Sequence, residues 1–227
     1  MINPNTAAEV LRLMEIMATL RSPTGCPWDK KQTPESLKPY ILEEAYELIE
    51  AIDKGETTDI CDELGDLLLQ IIFLAQIYSE QDQFGLAEVA LSISNKMIRR
   101  HPHVFADASA ENHAQRWAEI KRQERSSRGK GNKLADRIPI NLPALKKATK
   151  VVKKIQEEKP VAQIQNIQQG FSDLCQLTEK ALTRHEEIET LLGEILFRTV
   201  QLTSSLKVDA EDLLRKKTMQ VISEIDI

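Results

Sequence analysis

Turn residues, aromatics and paired cysteines are scarce in this chain of 227 residues and a net positive charge is missing, and each shortage removes a class of protein. Cys26, Cys61 and Cys175 are odd in number, far apart and free of any C-x-x-C spacing, which excludes a disulfide framework and a zinc ribbon. Eight Gly and nine Pro are too few for a turn-rich β fold and favour helices. Aromatics make up 4%, so the core must come from Leu, Ile, Val and Ala. A net charge of −5 argues against nucleic acid as a partner. No run of ~18 apolar residues exists to span a membrane. Glu9, Arg12 and Glu15 break up any signal-peptide pattern at the start, so the expected location is the cytoplasm. What is present is 41% apolar residues, enough for a core, in a length that fits one large domain or two small ones.

Apolar spacing predicts an amphipathic helix over 6–20, through Val10, Leu11, Leu13, Met14, Met17 and Leu20. Pro23, Gly25 and Pro27 predict a loop over 22–34. Thr33 and Pro34 then supply an N-cap and first-turn pair for a helix running to Lys54, stopped by Gly55. Further helices are expected over 57–81, 86–100 and Glu111–Arg128, the fourth ending before His101-Pro102. Residues 126–143 read as a linker, another helix starts near Ala144, and 161–227 reads as three weaker helices. The fold class is all-α, with the first half a helix bundle.

Two of these helices carry acidic pairs at i, i+3: Glu44 with Glu47, and Glu63 with Asp66. That spacing puts both members on one helix face. A solvated surface often shows such pairs, but here the phase is wrong for one. Glu44 lies on the stripe of Leu37, Ile41, Leu48 and Ile52, and Glu63 lies beside the stripe of Ile60, Leu64, Leu67 and Ile71. Carboxylates turned toward a bundle interior are costly alone and repel one another together. A bound divalent cation resolves both problems. Carboxylates alone are hard ligands that suit Mg²⁺, Mn²⁺ or Ca²⁺. The Glu-x-x-His motif of di-iron bundles is absent. Mg²⁺ held by carboxylates usually binds substrate phosphates too, which points to a nucleotide or polyphosphate.

Cations for such phosphates cluster at Lys96, Arg99 and Arg100, with Lys96 and Arg100 on one face. They read equally as a phosphate clamp or as favourable charge at a helix C-terminus. Trp117 and Lys121, also i, i+4, fit either packing or nucleotide contact. His101 and His103 lack two further ligands and read as a structural turn.

Several segments in order resemble the MazG family of nucleoside triphosphate pyrophosphohydrolases. They are Gly25-Cys-Pro-Trp-Asp29 with Gln32-Thr33, Leu42-Glu-Glu-Ala-Tyr-Glu47, Asp62-Glu-Leu-Gly-Asp-Leu-Leu68, Arg99-Arg-His-Pro-His-Val-Phe-Ala-Asp107, Trp117-Ala-Glu-Ile-Lys121 and Ile138-Pro-Ile-Asn-Leu-Pro-Ala144. The resemblance covers roughly 8–150. It implies an all-α pyrophosphatase bundle, normally a homodimer, that cleaves nucleoside triphosphates to monophosphate and pyrophosphate with Mg²⁺, or Mn²⁺ in its place. The family's metal ligands fall on Glu44, Glu47, Glu63 and Asp66. Glu43 lies in the same motif, and Glu43 or Glu47 would orient the attacking water. Phosphate and nucleotide contacts fall on Lys96, Arg100, Trp117 and Lys121, with Arg99 as a further candidate.

Many relatives carry the module twice, and an echo is visible here. Leu64-Gly-Asp-Leu-Leu68 aligns with Leu192-Gly-Glu-Ile-Leu196, so that Glu63 becomes Leu191 and Asp66 becomes Glu194. Asp173, Glu179 and Glu186 have the wrong spacing for the preceding acidic helix, and Gln220, Ser223 and Glu224 stand where Lys96, Arg99 and Arg100 would be. The expected layout is a catalytic domain over 1–125, a linker and connecting helix over 126–159, and a degenerate, inactive second repeat over 160–227. Three rival readings are a related enzyme narrowed to dUTP, dCTP or phosphoribosyl-ATP, a regulatory module that binds nucleotides without turnover, and a structural helical bundle whose acidic pairs are accidental.

Overall fold

The computed structural model describes residues 3–106, 113–127, 133–158, 167–183 and 187–225, and all regular structure among them is helical. The chain divides into two units, Met1–Trp117 and Ala118–Ile227.

In the first unit α1 (Thr6–Arg21) is followed by α2 (Pro27–Lys31), α3 (Pro34–Lys54), α4 (Thr57–Ser79), α5 (Leu86–Arg100) and the single turn α6 (Pro102–Phe105). α7 (His113–Ser127) crosses the division. The short α2 corrects the expectation of a continuous loop over 22–34. Pro27 occupies its first turn, where a preset φ starts a helix and no backbone donor is wasted. The single turn α6 was likewise not foreseen. It too starts on a proline, Pro102, after His101 closes α5. α4 ends at Ser79 rather than 81, because Asp82 turns into the left-handed region at φ 52°. The expected ends of the fifth helix, Glu111 and Arg128, lie outside the described residues, as do 161–166, Glu186 and part of the 126–143 linker.

Local signals account for the α3–α4 hairpin. Thr33 Oγ1 accepts from the Ser36 amide at 3.2 Å and Ser36 Oγ accepts from the Thr33 amide at 2.9 Å, a reciprocal cap. Gly55, at φ 80°, ends α3 with its N–H on the Ala51 carbonyl. One residue later α4 begins and folds back along α3. α1 and α5 also pack on α4. Met17, Leu37, Ile72, Phe73 and Ile77 form the buried core of this unit.

Arg21 ties these elements together at one end. Its side chain is only 7% exposed. It donates to both Glu80 carboxylate oxygens and to the Asp29 carbonyl, and its guanidinium lies 5.4 Å from the Phe73 ring centroid.

The second unit holds a 3₁₀ turn (Ala135–Arg137), α8 (Ala144–Glu158), α9 (Ile167–Thr183), α10 (Ile188–Ser205) and α11 (Ala210–Ile225). Its core is Val152, Val200 and Ala210, with Leu145, Ala148 and Phe197 against them. The arrangement repeats that of the first unit. One central helix, α4 or α10, forms a hairpin with the helix before it and packs against one earlier and one later helix.

Candidate metal centre

The α3–α4 hairpin brings acidic residues together across its seam. One carboxylate oxygen each from Glu44, Glu63 and Asp66 lie within 4.8 Å of one another. Glu44 and Glu63 are half-buried and Asp66 is exposed. Glu47, one turn beyond Glu44, is exposed and stands outside this triplet, yet its charge acts on both Glu44 and Glu63. Glu43 is exposed and also outside it.

The buried face of α4 differs from the expected stripe. Leu64 and Ile71 are 52% and 43% exposed, while Ile60, Glu63, Leu67, Gln70, Leu74 and Ile77 turn inward. Glu63 is therefore on the inward face and not beside it. On α3 the stripe ends at buried Ala51, with Ile52 55% exposed. The misreading has a simple cause. Leu64 and Ile71 look like core residues by type, and helical spacing alone allows either phase when both faces carry apolar residues.

The electrostatics of the cluster are unbalanced. Burial, reinforced by Asp66 and Glu47, holds the Glu44 carboxyl above a carboxylate's ordinary range, against a hydrogen bond from the Gln70 side chain. Burial, then Glu47 and Asp66, does the same to Glu63, with Asp59 and Asp62 adding to it. Every charged group acting on either residue is acidic. Glu63 Oε2 is buried without a hydrogen-bond partner. A concentration of hard oxygen donors, one orphaned, with no balancing cation among the described residues acting on Glu44 or Glu63, fits Mg²⁺ or Mn²⁺ on the donors' own chemistry. Sequence reading missed Gln70. It is 8% exposed, and its only signal was its place four residues after Asp66 and seven after Glu63.

Of the candidate phosphate-binding residues, Lys96, Arg99, Arg100 and Trp117 belong to the first unit. Lys96 lines a shallow cavity of about 380 Å³ with Phe84, Glu88, Val89, Ser92 and Ile93. Arg100 stacks toward Trp117, its guanidinium carbon 6.0 Å from the ring centroid. Arg99 is exposed on the same turn. Lys121 is half-buried on α7 and falls in the second unit. His101 Nδ1 lies 2.8 Å from the Met97 carbonyl, which accounts for it as part of a helix end.

The family model described as "MazG nucleotide pyrophosphohydrolase domain" matches residues 32–105, the span that holds the whole acidic cluster. A protein of Escherichia coli K12 named nucleoside triphosphate pyrophosphohydrolase is 39% identical over 219 residues, covering 92% of this chain and 82% of its own length. The chain belongs to the MazG family. A Thermotoga maritima member named nucleoside triphosphate pyrophosphohydrolase/pyrophosphatase MazG is also 39% identical, over 92% of this chain and 81% of its own. A Mycobacterium tuberculosis member, named as the Escherichia coli one is, is 35% identical over 64% of this chain and 45% of its own.

In the second unit of this MazG chain the same seam is built differently. Leu191, which the expected sequence register sets against Glu63, is half-buried, and Glu194 is exposed. Arg198 on α10 pairs with Asp173 on α9 at 3.2 Å.

Proposed function

We propose that the chain hydrolyses nucleoside triphosphates to nucleoside monophosphate and pyrophosphate, at a Mg²⁺ site on the α3–α4 hairpin. The observation that carries this is the triplet of Glu44, Glu63 and Asp66 within 4.8 Å, with Glu63 Oε2 orphaned, inside a MazG domain. The names of the relatives support the reaction. Glu44, Glu63 and Asp66 hold the cation, joined by Glu47 when its exposed side chain turns in. Mn²⁺ fits the same oxygen set. Held there, the cation would neutralise the cluster, polarise the triphosphate and make a water easier to deprotonate.

Of this chain's own groups, Glu47 is the one to orient the attacking water. It is close enough to act on Glu44 and Glu63 yet is exposed, and Glu43 is the alternative. Water attacks the α-phosphorus, its proton passes to the carboxylate, and the α–β bridging P–O bond breaks. Lys96 and Arg100, with Arg99 as a further cation, offset charge on the leaving pyrophosphate. Trp117 steadies the Arg100 guanidinium and covers the nucleotide. The second unit is a degenerate copy without turnover, and the apolar residues left exposed on α3 and α4 pair in a homodimer. The setting is the cytoplasm, where free thiols such as Cys26, Cys61 and Cys175 persist.

Product analysis on NTPs and dNTPs tests this, with and without Mg²⁺, on wild type and Glu63→Gln. The expected result is monophosphate plus pyrophosphate, at least 100-fold reduced without metal and in the variant. Diphosphate plus orthophosphate would mean a different bond is cleaved. Nucleotide binding without turnover would favour the regulatory reading.

A further inference from the structure

We infer that Gln70 is a positioning residue of the cation site: its amide nitrogen holds Glu44, and its Oε1 accepts a hydrogen bond from the hydration shell of the bound cation. This rests on the metal site proposed above and adds to it a residue that carries no charge.

Three observations lead there. Gln70 is 8% exposed on the face of α4 that also carries Glu63, between Leu67 and Leu74, where a leucine would pack without polar cost. Its side chain stands close enough to the Glu44 carboxyl to favour the ionised form against burial. Since a carboxylate only accepts, the Gln70 amide nitrogen must face it, and Oε1 is left over. That Oε1 is buried with no partner. The hairpin therefore holds two orphaned acceptors on one face of α4, Glu63 Oε2 and Gln70 Oε1. Buried acceptors are rarely left unmade in a native fold. A carboxylate oxygen is met by a cation directly. A buried amide oxygen on the same helix face is met by a donor, and Mg²⁺ keeps several of its waters, which are donors.

The second unit supplies the contrast. The register that aligns Leu64–Leu68 with Leu192–Leu196 sets Arg198 against Gln70. Arg198 Nη2 reaches Asp173 Oδ2 at 3.2 Å and Nη1 donates to Gln201 Oε1 at 3.1 Å. There the hairpin carries its own cation and its carboxylate is neutralised from within. In the first unit the same position holds a neutral amide, which orients a carboxylate without cancelling its charge. The charge is left for a metal.

The test is Mn²⁺ binding to the full chain without nucleotide, followed by the electron paramagnetic resonance of free Mn²⁺, alongside melting temperature in chelator. Wild type, Gln70→Leu and Gln70→Arg are compared, with helical content checked by circular dichroism. Gln70→Leu is expected to weaken Mn²⁺ binding about 10-fold or more, with the metal-free melting temperature unchanged or raised. Gln70→Arg is expected to abolish binding and raise the metal-free melting temperature, by pairing with Glu44 as Arg198 pairs with Asp173. A mere packing role predicts the reverse for Gln70→Leu, a lower melting temperature and unchanged Mn²⁺ affinity, and that result overturns the inference. If wild type binds Mn²⁺ and both variants bind it equally well, this inference alone falls. If wild type binds none, the metal site and the inference fall together.

Discussion

At the scale of single residues, the carboxylates of the hairpin set a pH dependence whose sign is fixed. Glu44 and Glu63 titrate above their ordinary value in the metal-free fold, chiefly through burial and then through neighbouring carboxylates. A group with a raised folded pKa binds more protons folded than unfolded, so stability falls as pH rises from the ordinary value through the raised one. A divalent cation reverses the preference, because it favours the ionised form. The rise in melting temperature on adding Mg²⁺ is therefore expected to be larger near pH 7 than at about pH 5. An equal rise at both pH values, measured by calorimetry, would mean that these carboxylates do not hold the ion. Gly25 is a second residue-scale constraint. A Cβ there would lie 2.2 Å from the Leu20 carbonyl oxygen, so any side chain forces the chain off the end of α1.

At the scale of elements, the α1–α2 corner hangs on Arg21. The guanidinium satisfies Glu80 at the end of α4 and the Asp29 carbonyl in α2, with little access to water. The hydrogen bonds from Arg21 hold the Glu80 carboxyl below its ordinary range, more strongly than burial raises it. With a depressed folded pKa, this pair's contribution is present above the ordinary carboxylate value and is lost as pH falls through the folded one. Arg21→Ala removes the donors to exposed Glu80 and to the half-buried Asp29 carbonyl, at an expected cost of about 2 kcal/mol. Denaturant titration at neutral pH checks the magnitude. Repeating it at progressively lower pH, as Glu80 takes up its proton, should shrink the difference between variant and wild type. A difference independent of pH would place the effect in packing against Phe73 instead.

At the scale of the whole molecule, the isolated first unit leaves apolar side chains in rows on two adjacent helices. Leu42, Tyr46, Ile49 and Ile52 line α3, and Leu64, Leu68 and Ile71 line α4, all exposed. Scattered surface leucines are ordinary, but contiguous rows mark an interface. In the proposed homodimer, replacing Leu64 and Leu68 together with Asp is expected to halve the mass seen by light scattering while helical content persists. A wild type of monomer mass would contradict the dimer outright. Much of this architecture was legible in the chain itself. Thr33-Pro34, Gly55 and His101-Pro102 are punctuation that acts within a few residues of chain, so the α3, α4 and α5 helices follow from local chemistry, as does the i, i+3 pairing of Glu44 with Glu47 and Glu63 with Asp66. The family was legible for the same reason, since its motifs are short and ordered. Only tertiary structure decided which face of α4 turns inward. Leu64 and Ile71 carry the same hydrophobicity as core residues, and it is the docking of α3 and α1 on α4 that leaves them outside and takes Glu63 and Gln70 in. It also decided that Glu44, Glu63 and Asp66 converge while Glu47 stands apart, because convergence depends on how two helices lie against each other, a relation that spacing along one helix does not contain.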